Sequence, residues 1–214
     1  MKTFGTIKYV KGQWRINAAP HVALRLKRVF PKVKKGTVGE VRIVDTPEIC
    51  RELEWFMQRY PLEIDTESKA RLLGQSSKHR EKETLIEELL AGIQPARAFN
   101  LSIPPRDYQR VAAEVCLTSG GLLLADDVGI GKTCVGICML ADPHTLPALV
   151  VTLTHLPRQW EGEIRRFAPH LRTHILKTGT PYDLRGKNGA SHAKQLALPE
   201  MSDMPDVIIT NYHK

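Results

Sequence analysis

Gly129-Ile130-Gly131-Lys132-Thr133 is the stretch of this chain whose residue types and spacing can do chemistry. Two glycines one residue apart let the backbone curl closely, with successive N–H groups pointing into the curl, and such a curl holds an anion. A helix opening at Lys132 adds the positive end of its dipole. Lys132 then supplies a mobile cation for β- and γ-phosphates, and Thr133 a hydroxyl for Mg²⁺. The chemistry indicated is the gripping of a nucleotide's phosphates, with Asp127, Val128 and Ile130 completing the loop.

A loop of this kind works only between a strand and a helix. Residues 121–125 (Gly-Leu-Leu-Leu-Ala) read as a buried strand entering it, and the apolar run through Val135, Ile137, Cys138, Met139 and Leu140 as the helix leaving it. Upstream, Pro104-Pro105 leads to Arg106-Asp107-Tyr108-Gln109 and a helix through Val111, Val115 and Leu117, broken by Gly120-Gly121. Downstream, residues 148–152, 173–176 and 207–210 read as strands, with a helix from Pro157 holding Trp160, Ile164 and Phe167. A polar loop runs from Thr178 to about Ala193. Short apolar strands alternating with helices imply an α/β fold with a mostly parallel sheet covered on both faces. In such sheets ligands sit beyond the carboxyl ends of the strands. The glycine loop, Thr154-His155 and Thr210-Asn211 all fall at such ends.

The first part of the chain differs. Residues 6–10 and 13–17 alternate around Lys11-Gly12, a β-hairpin pattern. Pro20 opens an amphipathic helix with Val22, Leu26, Val29 and Phe30 on one side and Arg25, Lys27 and Arg28 elsewhere. Pro31 stops it, and Lys32, Lys34 and Lys35 extend the charge. Residues 38–44 read as a strand, and Thr46-Pro47 as a capped helix start running to Tyr60. Trp14, Trp55 and Phe56 fit apolar periodicities and are expected in a core. Residues 66–98 read as a connector of two charged helices around Gly74-Gln75-Ser76-Ser77. The expected organisation is thus a small basic α+β domain at 1–65, a helical connector at 66–98 and the nucleotide lobe at 99–214.

Charge is concentrated. Ten Lys or Arg and no Asp or Glu fall within residues 1–39 of a chain whose net charge is +8. Such a block suits a phosphate backbone. No apolar run approaches the roughly 20 residues of a membrane span, and the N-terminus lacks a signal-peptide segment, so a cytoplasmic or nucleoid-associated protein without a membrane partner is expected. The four cysteines form no C-x-x-C pair; Cys134 and Cys138 share a helix face and read as small apolar residues.

In order, these blocks resemble the SWI/SNF-type ATPases of helicase superfamily two. Arg106-Asp107-Tyr108-Gln109 resembles the Q-motif, in which a glutamine bonds the adenine edge. Residues 124–133, Leu-Ala-Asp-Asp-Val-Gly-Ile-Gly-Lys-Thr, resemble motif I, including its acidic pair. Residues 148–156 with Gln159-Trp160 and Phe167 resemble motif Ia, and residues 206–212 resemble motif Ib. The resemblance covers about residues 99–214. It implies a P-loop, RecA-like lobe, incomplete here, that binds ATP and Mg²⁺. Lys132 would be its catalytic cation and Thr133 its metal ligand. Arg106, Tyr108 and Gln109 would lie near adenine, and Thr154, His155, Thr210 and Asn211 along DNA.

The family's acidic Walker-B motif does not follow Tyr212 in this sequence, and the second RecA-like lobe with its arginine fingers is absent. The expectation is an N-terminal portion that holds nucleotide and DNA backbone but does not hydrolyse ATP alone. The alternative is a self-contained DNA- or protein-binding module carried by the basic N-terminal domain. A metabolic P-loop kinase is disfavoured, because no substrate lid or acidic base can be placed.

Overall fold

The computed structural model describes residues 3–33, 39–180, 182, 184 and 204–213. Lys34, Lys35 and most of the polar loop expected at 178–193 lie outside the described residues. The chain divides into two compact units, Met1–Glu87 and Glu88–Lys214.

In the first unit, strands β1 (Gly5–Val10) and β2 (Gln13–Ala18) form the expected hairpin. Lys11 and Gly12 both take left-handed backbone angles, φ 46° and 82°, as a twisted two-residue hairpin turn requires. Helix α1 (Pro20–Val29) follows, then β3 (Val41–Val44), α2 (Pro47–Arg59) and β4 (Glu63–Ile64). The sheet order is β3-β2-β1-β4, antiparallel except for the β1–β4 pair. Period-two alternation buries Ile7, Trp14, Ile16, Val41 and Ile43 against Val22 and Leu26 of α1 and Cys50, Leu53 and Phe56 of α2. The opposite sheet face is polar. Its register sets Lys8, Arg15 and Arg42 side by side across three strands.

Asp45, just past β3, ties this unit together. It accepts hydrogen bonds from Trp14 Nε1 (2.8 Å), Cys50 Sγ (3.1 Å) and Arg71 Nε and Nη2 (2.8 and 2.6 Å). Burial pushes its carboxyl up, but the donors from Cys50, Arg71 and Trp14 outweigh that and hold it below the usual carboxylate range. Burial, reinforced by Asp45, pushes the Cys50 thiol up to about 12.

Two expectations are corrected in this unit. Trp55 is not core: it is 57% exposed. The buried stripe of α2 runs through Cys50, Leu53 and Phe56, and at 100° per residue Trp55 projects away from it. Residues 66–90 form a single helix, α3 (Thr66–Leu90), without a break at Gly74-Gln75-Ser76-Ser77. Gly74 costs roughly 1 kcal/mol there, but Ser76 is fully buried and donates to Glu54, and Ser77 donates to Glu81. Local hydrogen bonds thus carry serines that would otherwise favour a turn.

The second unit contains α4 (Asp107–Ser119), α5 (Lys132–Leu140), a 3₁₀ turn at Pro143–Thr145, β5 (Ala148–Thr152), α6 (Pro157–Phe167), β6 (Thr173–Ile175) and β7 (Val207–Asn211). Its sheet is parallel, in the order β5-β7-β6. Ile137 and Leu140 of α5 and Ile164 and Ala168 at α6 pack on Val207 and Ile209. Helix α4 packs on α5 through Ala113, Cys134, Val135 and Cys138. Arg97 joins Glu114 of α4 to Asp142 beyond α5, and Arg172 pairs with Asp206 at the start of β7.

Here too the structure departs from expectation. Residues 121–125 form no strand among the described residues, and Leu122 and Leu123 are exposed. A strand exists only where a neighbour completes its ladder, and the described sheet offers this stretch none. Nor do the described residues cover the sheet on both faces, since Leu149 and Val151 of β5 are exposed on the side away from α5 and α6.

Candidate phosphate-binding site

Helix α4 begins the site. Its N-terminus is closed by Gln109, whose Oε1 accepts from the Arg106 backbone N–H at 2.9 Å. The same carboxamide reaches across with Nε2 to Ile130 O at 3.1 Å and more distantly to Gly131 O at 3.5 Å. Tyr108 adds its hydroxyl to Ile130 O at 2.7 Å. The helix cap and the glycine loop are therefore held by one buried side chain, Gln109 being only 7% exposed.

The loop has the conformation that its glycines permit. Gly129 and Gly131 have φ 90° and 86°, a left-handed region that other residues enter at a cost. A Cβ on Gly131 would lie 2.6 Å from Gln109 Nε2, while one on Gly129 would meet nothing within 4 Å. Gly131 caps α5, so Lys132 and Thr133 occupy the helix's first turn. Lys132 Nζ donates to the carbonyl oxygens of Asp126 (2.7 Å) and Asp127 (2.8 Å). The ammonium is thus folded into its own loop, where an arriving anion would take over part of its coordination. Asp127, Val128 and Gly129 are exposed, which leaves the loop open to solvent.

Beside the loop lies a cleft of about 360 Å³. Gln109, Gly131, Thr133, Gln159, Glu163 and Phe167 are among the residues lining it, as is Arg106. Gln159 and Glu163 were not singled out as site residues from the sequence. They sit one turn apart on α6 and reach the cleft because α6 packs beside α5; four-residue spacing on an amphipathic helix was the available signal. A larger cleft of about 730 Å³ is lined mainly by apolar side chains of α4 and residues 122–124. It offers no set of phosphate donors.

Burial pushes the Cys138 thiol up to about 12, and raises Cys134 as well. Both stay protonated and act as packing groups under the loop. Gly136 is small for a reason, since a Cβ there would touch Trp160 Cη2 at 3.0 Å.

The residues expected along DNA separate into two pairs. Thr154 and His155 are exposed in the turn after β5. Thr210 and Asn211, in β7, are only 7% and 6% exposed. Asn211 Oδ1 accepts from the His213 backbone N–H at 3.0 Å, and Thr210 Oγ1 bonds the Asn211 carbonyl at 3.4 Å. In this conformation that second pair shapes the strand end and lies largely out of contact with solvent.

The chain is similar in sequence to several known proteins. The TATA-binding protein-associated factor MOT1 of Saccharomyces cerevisiae is 27% identical over 106 residues, and its counterpart in Aspergillus fumigatus is 28% identical over the same length. That segment is 42% of this chain but 5% of either relative, so the chain spans a small fraction of their length. Among solved structures, the Sulfolobus solfataricus SWI2/SNF2 ATPase core in complex with dsDNA is 25% identical with a TM-score of 0.41, covering 56% of this chain and 24% of that one. The sequence profile of the SNF2-related domain matches residues 47–214, taking in the whole loop and sheet described above, and the chain belongs to that family.

Proposed function

We propose that the second unit is the opening part of a RecA-like, ATP-binding lobe of a DNA-dependent ATPase. The observation that carries this is the loop itself: two left-handed glycines followed at once by a helix whose first turn holds Lys132 and Thr133. Residues of this kind fit a magnesium nucleotide. The backbone N–H groups of Gly129–Thr133 and the Lys132 ammonium would hold the β- and γ-phosphates, and the Thr133 hydroxyl would hold Mg²⁺. The ion, when bound, neutralises charge developing on the transferred phosphoryl group. Arg106 and Gln109 line the 360 Å³ cleft, Tyr108 bonds Ile130 O of the loop, and these three would lie near the base.

The protein's own part is positional. Gln109 fixes the loop to α4, so a nucleotide meets a preset curl, and ordering the loop costs less on binding. Lys132 exchanges the carbonyls of Asp126 and Asp127 for phosphate oxygens, which gains a charge-assisted contact. DNA backbone would follow the turn bearing Thr154 and His155, at the carboxyl end of β5. Phosphoryl transfer would require further groups, a carboxylate opposite Thr133 and a second lobe. The 214 residues are therefore assigned binding without turnover.

Equilibrium titration of the whole chain with a fluorescent ATP analogue and Mg²⁺ tests this. Saturable binding is expected, weakened at least about tenfold in Lys132→Ala, the loss of a contact to a charged group. No saturable binding, or equal affinity in Lys132→Ala, overturns the nucleotide site. Release of phosphate from ATP by the purified chain in the presence of DNA overturns the assignment of binding without turnover.

A further inference from the structure

Away from the glycine loop, the first unit carries an aromatic–cationic cleft to which nothing above assigns a role. It lies between α1 and α2, has a volume of about 270 Å³, and is lined by Arg25, Arg28 and Val29 of α1 and by Trp55, Phe56, Arg59 and Tyr60 at α2. Trp55 is 57% exposed, although an indole normally hides most of its surface. Its neighbours at four-residue spacing on α2 are Arg51 and Arg59, so cations flank the ring along the helix. Arg25 and Arg28, three residues apart on α1, supply the opposite wall.

Among the described residues, none of Arg25, Arg28, Arg51 and Arg59 lies within ion-pair distance of a carboxylate. The nearby Glu54 is bonded by Ser76 and by Arg80 at 2.8 Å and acts on Arg51 through space, which leaves Arg25, Arg28 and Arg59 facing the cleft. Tyr60 is held against Phe56, with ring centroids 5.0 Å apart, whereas Trp55 makes no ring contact among the described residues. An exposed indole beside Arg25, Arg28 and Arg59, which form no ion pair among the described residues, suits a planar, negatively charged partner.

We propose that this cleft binds single-stranded nucleic acid, one base stacking on Trp55 and the adjoining phosphates pairing with Arg25, Arg28 and Arg59. Stacking on aromatic side chains with arginines tracking the backbone is the general chemistry of single-strand recognition. A duplex does not satisfy the site, since its bases present no free faces. An acidic protein segment would satisfy the arginines but leave the indole unused. The cleft's size suits a single nucleotide and not a larger folded element. This site is independent of the nucleotide loop in the second unit.

Fluorescence anisotropy of the full chain with a labelled oligothymidylate provides the test. Trp55→Ala is expected to weaken binding about five- to 150-fold, the range seen when a stacking aromatic is removed. Trp55→Phe should restore part of the affinity. The combined Arg25→Gln, Arg28→Gln, Arg59→Gln variant should reduce the slope of log K against log salt by about two units, three single-strand phosphate contacts at roughly 0.7 each. Lys8→Gln, Arg15→Gln, Arg42→Gln removes the same charge elsewhere and should leave that slope nearly unchanged. Binding of the ATP analogue should be the same in every variant, which separates this site from the one at Lys132. The proposal is overturned by unchanged affinity in Trp55→Ala or by equal losses in the two arginine and lysine sets. It is also overturned by tighter binding of a duplex of equal length, by thymidine monophosphate binding as tightly as the oligomer, or by polyglutamate competing as well per charge. Because Trp55 and the arginines are exposed, the variants are expected to fold, and an unaltered thermal midpoint in each verifies this.

Discussion

Replacing Gly131 with alanine probes the joint between α4 and the glycine loop, and the structure sets the size of the effect. The left-handed φ of 86° costs an L-residue about 1–2 kcal/mol. The new Cβ would also lie 2.6 Å from Gln109 Nε2, so that side chain must swing aside. Doing so breaks its bonds to Ile130 O and the Arg106 N–H, together about 1–3 kcal/mol at usual net values. Gly131→Ala should therefore destabilise the loop and α5 by roughly 2–5 kcal/mol. Gly129→Ala, with open space around it, should cost only the backbone part, roughly 1–2 kcal/mol. Hydrogen exchange of the α5 amides is the appropriate assay, because it reads the second unit separately from the first. Exchange by local opening should be faster in Gly131→Ala than in Gly129→Ala by about five- to 150-fold. In a Gln109→Ala background the two glycine substitutions should become equivalent, since the contact that distinguishes them is gone. Equal exchange in the two single variants, or a difference that survives Gln109→Ala, would show that Gln109 does not hold the loop.

Asp45→Asn should destabilise the first unit by roughly 1–3 kcal/mol, discounted for the partly exposed Arg71, as read by denaturant unfolding. The folded-state pKa of Asp45 is depressed despite burial, because Cys50, Arg71 and Trp14 donate to it. Its contribution is present above the unfolded value near 3.8 and is lost as pH falls through the lower folded value. Asp206, held low by its bond from Arg172, behaves alike in the second unit. Acid unfolding should shift to higher pH in Asp45→Asn, and an unshifted transition would contradict the role given to Asp45. Arg97→Ala, which frees both Glu114 and Asp142, should lower α4 protection in exchange experiments by roughly 1 kcal/mol after discounting for the half-exposed guanidinium; unchanged protection would show that Arg97 does not brace α4. Iodoacetamide at mildly alkaline pH should label neither Cys50 nor Cys138 in the folded protein, both pushed up to about 12 by burial; labelling as fast as in denaturant would refute their burial.

Much of this molecule is legible in its sequence because the governing signals are local. Pro20, Thr46-Pro47 and Pro157 mark helix starts that the structure has, and Thr46 Oγ1 does accept from the Ile49 N–H at 3.3 Å. The loop's two glycines announce their left-handed angles through spacing alone. What the sequence hides depends on distant partners. Residues 121–125 have the apolar content of a strand, yet strand formation depends on a neighbour supplied by another segment. Gly74 to Ser77 resembles a break, but Ser76 finds Glu54, twenty-two positions away, and the helix continues. Trp55 reads as core by hydrophobicity alone, yet its phase on α2 relative to Cys50, Leu53 and Phe56 turns it outward. The four-residue spacing of Gln159 and Glu163 puts them on one side of α6, but which cleft that side meets is decided by the packing of α6 beside α5. Thr210 and Asn211 lie at a strand end as expected, but their burial follows from β7 being the middle strand of the sheet.

The lateral row of Lys8, Arg15 and Arg42 has a practical consequence for anyone handling this protein. Strands about 4.8 Å apart bring their like charges close enough to repel; among the described residues Arg42 pairs with Glu40 at 2.8 Å, Lys8 feels the Asp65 carboxylate only through space, and Arg15 Nε is buried with no acceptor. Dissolved counter-ions must screen the remainder, and their atmosphere shrinks from about 30 Å at 0.01 M to about 10 Å at 0.1 M. Dialysis into dilute buffer should therefore loosen the N-terminal sheet, and moderate salt should tighten it, opposite to the behaviour of a domain held together by surface ion pairs.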